Sequence, residues 1–346
     1  MLAGGGGFTA VSGIPIINVK DYGAVGDNSH DDTAAINAAI AQFNSASPAV
    51  PLYFPTGHYK ITSNLTTITS SGMIFGAGVI PGQDTGAGRL GSTVIQYDTG
   101  TGTAFTITSA DLLIEDLVIR NNNATTPTAG AGIAYTRAAT IDQKGVLDLT
   151  NVMVDGFYDN VDQQGGTFWT FLKCRFFNAV RYGIRIRNLS NPDWGMWSIN
   201  NCYFLTYSRS YATAAFIRLE SSGGGKITAC NFIATIGLCD RYLDIVGDGS
   251  TSSLVVSNCA MEAWGIDAIR STGEWGSQMF SNIEMAMYSP TAGYAFNLSG
   301  NHDVIINQIA FATNVVPAPA KAINSSSMTR LVVGGECTNN GYTSIT

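Results

Sequence analysis

From about residue 111 onward the chain repeats one pattern. Short runs alternate apolar and polar residues and are broken by Asn, Gly and Ser. The segments NVMV, KCRF, NCYF, ACNF, NCAM and NIEM align on their second residues, Val152, Cys174, Cys202, Cys230, Cys259 and Ile283, at steps of 22, 28, 28, 29 and 24 residues. Two places later an apolar residue recurs each time: Val154, Phe176, Phe204, Phe232, Met261 and Met285. Recurrence at about 20–50 residues marks a repeat architecture, and period-two alternation inside each unit marks strands. The pattern predicts a coil whose rungs stack ~4.8 Å apart, each side chain resting on its equivalent in the next rung. The four cysteines then form an inward column of small apolar residues rather than disulfides or a metal site.

A second strand per rung is predicted from GIRIR, FIRLE, YLDIV, GIDAI and AFNLS. Alternation turns Ile184, Ile217, Leu243, Ile266 and Phe296 inward. It turns Arg185, Arg218, Asp244, Asp267 and Asn297 outward. Nearer the start, DDTAAINAAIAQF predicts a helix with Asp31 or Asp32 at its N-terminus and Ile36, Ala39, Ile40 and Phe43 on one apolar face. PLYFPTGHYKI reads as strand, turn, strand. The predicted organisation is an irregular arm over residues 1–17, a cap over 18–50 and stacked rungs over 51–346.

Composition narrows the function classes. Hydrophobic residues make up 45%, enough to fill a core, and charged residues only 12%, so the surface is largely neutral and polar. With a net charge of −7 and no run of Lys or Arg, the chain is not expected to bind nucleic acid. No apolar run reaches the ~18 residues of a membrane span, so no membrane insertion is expected. MLAGGGGFTAVSG lacks both a basic and a sustained apolar region, so no secretory signal is expected. The six cysteines form no CxxC pair.

NVKDYGAVGDNSHDDTAAINAAI, PLYFPTGHYKI and IFGAG, over residues 16 to about 80, resemble the opening of the pectate-lyase-like right-handed parallel β-helix superfamily, most of all its branch in bacteriophage tailspikes and polysaccharide depolymerases. The resemblance implies an all-β fold, a right-handed parallel β-helix (solenoid) with a short N-terminal capping helix. It makes the cluster Asp27, His30, Asp31 and Asp32 part of that cap, in preference to a calcium or catalytic site. It also implies a homotrimer in a phage virion tail that acts outside the cell on a bacterial surface polysaccharide. The N-terminal arm would then hold other tail proteins. Two rivals stand beside this reading: a non-catalytic fibre, decoration or adhesion protein, and a secreted bacterial polysaccharide lyase or hydrolase.

Glycoside hydrolysis needs two carboxyl groups, about 5–5.5 Å apart for retention or about 6.5–9.5 Å for inversion. Asp244 and Asp267 are expected one rung apart, where like charges would raise one pKa, with Glu220 beside them. Glu262 and Glu284 form a second outward pair on neighbouring rungs, with Trp264 two residues beyond Glu262 as a sugar platform. Trp194 and Trp197 of the NPDWGMW loop are a third candidate sugar contact. Arg185 and Arg218 are candidate substrate contacts. In a lyase they would neutralise a uronate carboxylate, a role calcium can share; otherwise no cofactor is expected.

Overall fold

The computed structural model describes residues 8–11, 14–79, 91–108, 111–137, 146–166, 168–187, 196–207, 211–220, 224–235, 238–247, 253–273, 276–287, 293–300, 303–313, 322–334 and 338–340. It is a right-handed parallel β-helix with three faces. Faces 1 and 2 belong to one continuous sheet that bends once per rung, and face 3 is a second sheet. A typical rung runs along face 1 at Trp197–Asn200, face 2 at Tyr203–Thr206 and face 3 at Thr213–Glu220. Apart from an antiparallel N-terminal hairpin, the pairings are parallel.

The bend between faces 1 and 2 has a local cause. One residue per rung takes the left-handed conformation: Asp116, Asn151, Lys173, Asn201, Ala229, Asn258, Asn282 and Gln308, with φ between 51° and 57°. Asn and Asp tolerate this region because their short side chains bond locally. The next residue points inward, which produces the column Val152, Cys174, Cys202, Cys230, Cys259 and Ile283. Each of the four thiols donates to the carbonyl two residues earlier, at 3.3–3.4 Å, across the bend. A small side chain with a weak donor therefore suits this corner. These cysteines are free and buried, and burial pushes the Cys202 thiol well up.

The predicted inward column on face 2 is in register from Val154 through Phe176, Phe204, Phe232 and Met261 to Met285. Phe204 stacks on Phe176 at 5.2 Å and on Phe232 at 4.8 Å between ring centroids. These spacings are the rung repeat carried into the side chains.

The N-terminal end is capped by an α-helix over Thr33–Ser45, whose Ile36, Ala39, Ile40 and Phe43 are buried. Asp32 occupies the N-cap position but does not cap the helix. Its fully buried carboxylate instead accepts from the Val25 and Gly26 amides at 2.7 and 3.0 Å. Asp31 accepts from the Thr33 amide at the helix start. Asp27 accepts from the Ser29 and His30 amides, which hold its carboxyl down at about 2. The acidic cluster is thus turn architecture. The arm is not irregular throughout: Phe8–Val11 pairs antiparallel with Ile14–Asn18, which itself joins the first rung beside Leu52–Phe54. Among the described residues, no helix is long and apolar enough to cross a membrane.

Phe204 has an aromatic neighbour on both sides, so Phe204→Ala opens the stack in mid-column. The expected cost is about 3–5 kcal/mol, read as a fall in the urea midpoint; a loss under about 1 kcal/mol would contradict this packing.

Candidate functional site

Outward columns carry the chemistry, and three deserve comparison. On face 3, Asp162, Arg185, Arg218, Asp244, Arg270 and Asn297 stand in one register. Asp244 is buried and is held on both sides: Arg218 donates to Oδ2, and Arg270 donates to Oδ1 at 2.6 Å and to Oδ2 at 2.8 Å. Glu220 accepts from Arg185 at 2.8 Å and from Arg218 at 3.0 Å. Arg187 pairs with Asp162 at 2.7 Å. Burial alone would raise the Glu220 carboxyl, but hydrogen bonds and charge from Arg185 and then Arg218 outweigh it and hold the group below its ordinary value. The predicted substrate contacts Arg185 and Arg218 are therefore spent on the ladder itself.

Asp267 does not stand above Asp244. The strand enters face 3 three residues later than its apolar pattern suggested, so Ile269, not Ile266, continues the inward column. Arg270 takes the position predicted for Asp267, and Asp267 lies in register with Arg241. Its buried carboxylate accepts from the Tyr294 amide at 3.0 Å and the Asn297 side chain at 2.9 Å. Asp267 and Asp244 therefore do not form the expected pair one rung apart.

On face 2, Glu262 pairs with Ala286 and Glu284 with Ala260, so the two glutamates are outward on neighbouring rungs and offset by two residues. Neither makes an ion pair among the described residues. Trp264 is not a platform beside them. Ala263 adopts φ 66°, which breaks the alternation and turns Trp264 into the core, fully buried and edge-on to Tyr242.

Face 1 holds a feature that sequence reasoning missed, an open cleft of about 450 Å³. Trp169 and Trp197 stack at 5.1 Å, almost parallel, along one side. Trp197 lies over Gly225, where an added Cβ would come within 2.1 Å of the indole. Trp197 thus fills a gap between rungs and lines the cleft. Trp194 lies outside the described residues. Phe168 and Met196, 54% and 62% exposed, form the rim.

Along the same face Asp148, Thr170, Ser198 and Lys226 form one outward column, of which the last three line the cleft. Asp148 sits at its foot and accepts from the Thr170 amide at 2.6 Å. Burial raises its carboxyl, tempered by that hydrogen bond. Glu115 is outward one rung earlier and two residues further along, and burial with the charge of Asp116 raises its carboxyl too. One rung and two residues separate their Cα atoms by about 8 Å. This arrangement joins concavity, aromatic side chains and two desolvated carboxyl groups, a combination typical of ligand sites. Among the described residues no group of three or more His, Cys, Asp or Glu converges to hold a metal. The signal for this column was present in the sequence, because the steps that align the cysteines also align Asp148, Thr170, Ser198 and Lys226.

Residues 16–110 match the family described as rhamnogalacturonase A/epimerase, pectate lyase-like. Mannuronan C5-epimerase AlgE3 of Azotobacter vinelandii is 43% identical over 68 residues, which are 18% of this chain and 4% of that protein. ORF18 of Geobacillus virus E2 superposes with a TM-score of 0.67 at 18% identity, over 93% of this chain and 61% of that one. Full-length tailspike protein 2 of Escherichia coli O157:H7 bacteriophage CAB120 gives 0.62 at 14% identity, over 92% of this chain and 42% of that one. The A-module of Azotobacter vinelandii mannuronan C-5 epimerase AlgE6 gives 0.54 at 15% identity, over 95% and 94%. The fold is shared with all three. The chain spans about three fifths of ORF18, two fifths of the tailspike and a small fraction of the curated epimerase.

Two outcomes follow from the ladder. Asp244→Asn leaves Arg270 without its counter-charge and Arg218 with Glu220 alone, and should cost about 2–3 kcal/mol, since the guanidiniums keep some solvent. Because the folded-state pKa of Glu220 is depressed, its stabilisation is complete above the ordinary glutamate value of about 4.3 and is lost as pH falls through the lower folded value. Thermal scans from about pH 6 to pH 3 should show an acid limb that shrinks in Glu220→Gln.

Proposed function

We propose that this protein binds a bacterial surface polysaccharide along face 1 and hydrolyses it, as a tailspike-like virion component acting outside the cell. The observation that carries the reading is the pair of half-buried, pKa-raised carboxyl groups on face 1, Asp148 one rung below Thr170 of the aromatic cleft and Glu115 one rung further. Glu115 has a charged neighbour and is the better acid: it donates its proton to the leaving glycosidic oxygen. Asp148 keeps an amide hydrogen bond that favours its ionised form and is the better base, activating water. Their Cα atoms lie about 8 Å apart by the rung arithmetic, and carboxyl groups kept at that spacing leave room for a water, as inversion requires. The rung pitch repeats the outward groups along the axis, and a polymer lying along the axis meets them in succession.

The tailspike and epimerase likenesses support a glycan-acting role, and the rest of the proposal follows the same comparison. On face 1 the column continues from Lys226 through Val255, still at the cleft, to Met279, Ile305 and Val332 beyond it, all apolar and outward. Met279 is 39% and Val332 41% exposed, which supports packing of copies into a homotrimer. The N-terminal arm is assigned to other tail proteins. Glu262 and Glu284 support a second reading, because they too are outward, unpaired and about 8 Å apart between Cα atoms by the same rung arithmetic.

The test is incubation with a panel of bacterial surface polysaccharides, following new reducing ends and the ultraviolet absorbance of an unsaturated uronate. Hydrolysis gives reducing ends alone. Glu115→Gln and Asp148→Asn should each lower turnover by ~10²-fold or more, while Asp244→Asn changes stability only. The alkaline limb of the rate profile should lie above the ordinary glutamate value of about 4.3, where Glu115 loses its proton. If the loss falls on Glu262→Gln or Glu284→Gln instead, the second reading holds. Both signals together mean a lyase. Binding with neither signal means a non-catalytic adhesin or fibre, and the proposed chemistry fails.

A further inference from the structure

The cations of this protein are mostly spoken for. The face 3 arginines are tied to carboxylates, as are Arg120, Arg137 and Arg181. Lys226 differs. It lines the cleft, it is exposed, and it has no ion-pair partner among the described residues. An ammonium group left open at the mouth of an aromatic cleft attracts an anion that also has an apolar face to bury.

Two further features mark the cleft as built for contact. The left-handed backbone is a real outlier for a bulky side chain, and Phe168 holds it, at φ 59°. This conformation is strained and presents the ring to solvent at the cleft rim. Behind it the two indoles are clamped against each other and over Gly225, so the wall is rigid before any ligand arrives. Rigid aromatic surface captures ligands with little loss of side-chain entropy. Thr170 and Ser198 place hydroxyl groups between the aromatic wall and Lys226. Apolar wall, hydroxyl groups and one cation match a sugar ring that bears an anionic substituent.

We propose that the cleft is a subsite for a carboxylate-bearing sugar of the bound glycan, with Lys226 as the residue that recognises the carboxylate and Phe168 as the one that covers the ring. This rests on the glycan-binding reading above. It adds a substrate class and a position. Lys226 stands three rungs from Asp148, about 14 Å along the axis at ~4.8 Å per rung. The acidic sugar is therefore recognised away from the linkage that Asp148 and Glu115 act on. The glycan carries its carboxylate within the repeat unit but not at the cleaved bond.

The experiment is a fluorescence titration of the full chain, using its tryptophans, with fragments of capsular polysaccharides that contain glucuronate or galacturonate. Each fragment is paired with its carboxyl-reduced, neutral counterpart. At least one acidic fragment should bind, and reducing its carboxyl should weaken binding about tenfold or more, most at low salt. Lys226→Gln should impose the same loss on the acidic fragment and none on the neutral one. Phe168→Gly relieves the backbone outlier, so it should weaken binding of both forms while the melting temperature holds or rises. The proposal is overturned if only neutral glycans bind, or if Lys226→Gln weakens both forms equally. The titration needs no turnover. Acidic fragments that bind but are never cut would defeat the hydrolase reading and leave this one standing, and cutting of neutral glycans alone would do the reverse.

Discussion

Every feature of this molecule depends on the parallel register of one rung on the next. In a parallel stack, residues of equal position lie ~4.8 Å apart, so each position becomes a column. Inward columns are apolar, and equivalent side chains stack from rung to rung, as the Phe176, Phe204 and Phe232 rings show. Outward columns are free to vary, and they decide what the surface does. The register is pinned at the bend by one left-handed residue per rung, followed by a small inward residue. A one-place slip there would turn each face inside out.

Columns of charge serve two opposite ends. Face 3 sets arginines against Asp162, Glu220 and Asp244, so these carboxylates are held in ion pairs. Asp244, clamped by Arg218 and Arg270, is a strut. Among the described residues, face 1 sets no cation against Glu115 or Asp148 and partly buries them, so their carboxyl groups resist ionisation. The same residue type is structural in one column and chemically poised in the other, and the neighbouring rung makes the difference.

The inward columns were legible in the sequence because burial constrains them. Six segments align on the cysteine position at irregular steps, and the structure pairs them in that order. The outward columns of face 3 were legible through Asp244 and failed at Asp267. GIDAI offers two isoleucines three residues apart, and only the length of the preceding turn decides that Ile269 is the buried one. Trp264 was misplaced because a left-handed alanine reverses the alternation just before it. The sequence places Asp31 or Asp32 at the helix start; Asp31 takes the Thr33 amide there, while the Asp32 carboxylate reaches back to the Val25 and Gly26 amides, a contact set by the fold of the turn. The cleft went unread because its parts come from different rungs. Trp197 stands out in its own segment, whereas Phe168 and Lys226 do not, and the three meet only when the rungs are superposed.

The proposed function places the glycan on face 1. In a crystal structure of Asp148→Asn with a bound fragment of a cleavable polysaccharide, a variant that should hold its substrate uncut, sugar density should run along face 1 from residue 148 to Lys226, with a ring against Phe168. Density along the arginine ladder of face 3, or over Glu262 and Glu284 on face 2, with the cleft empty, would contradict it.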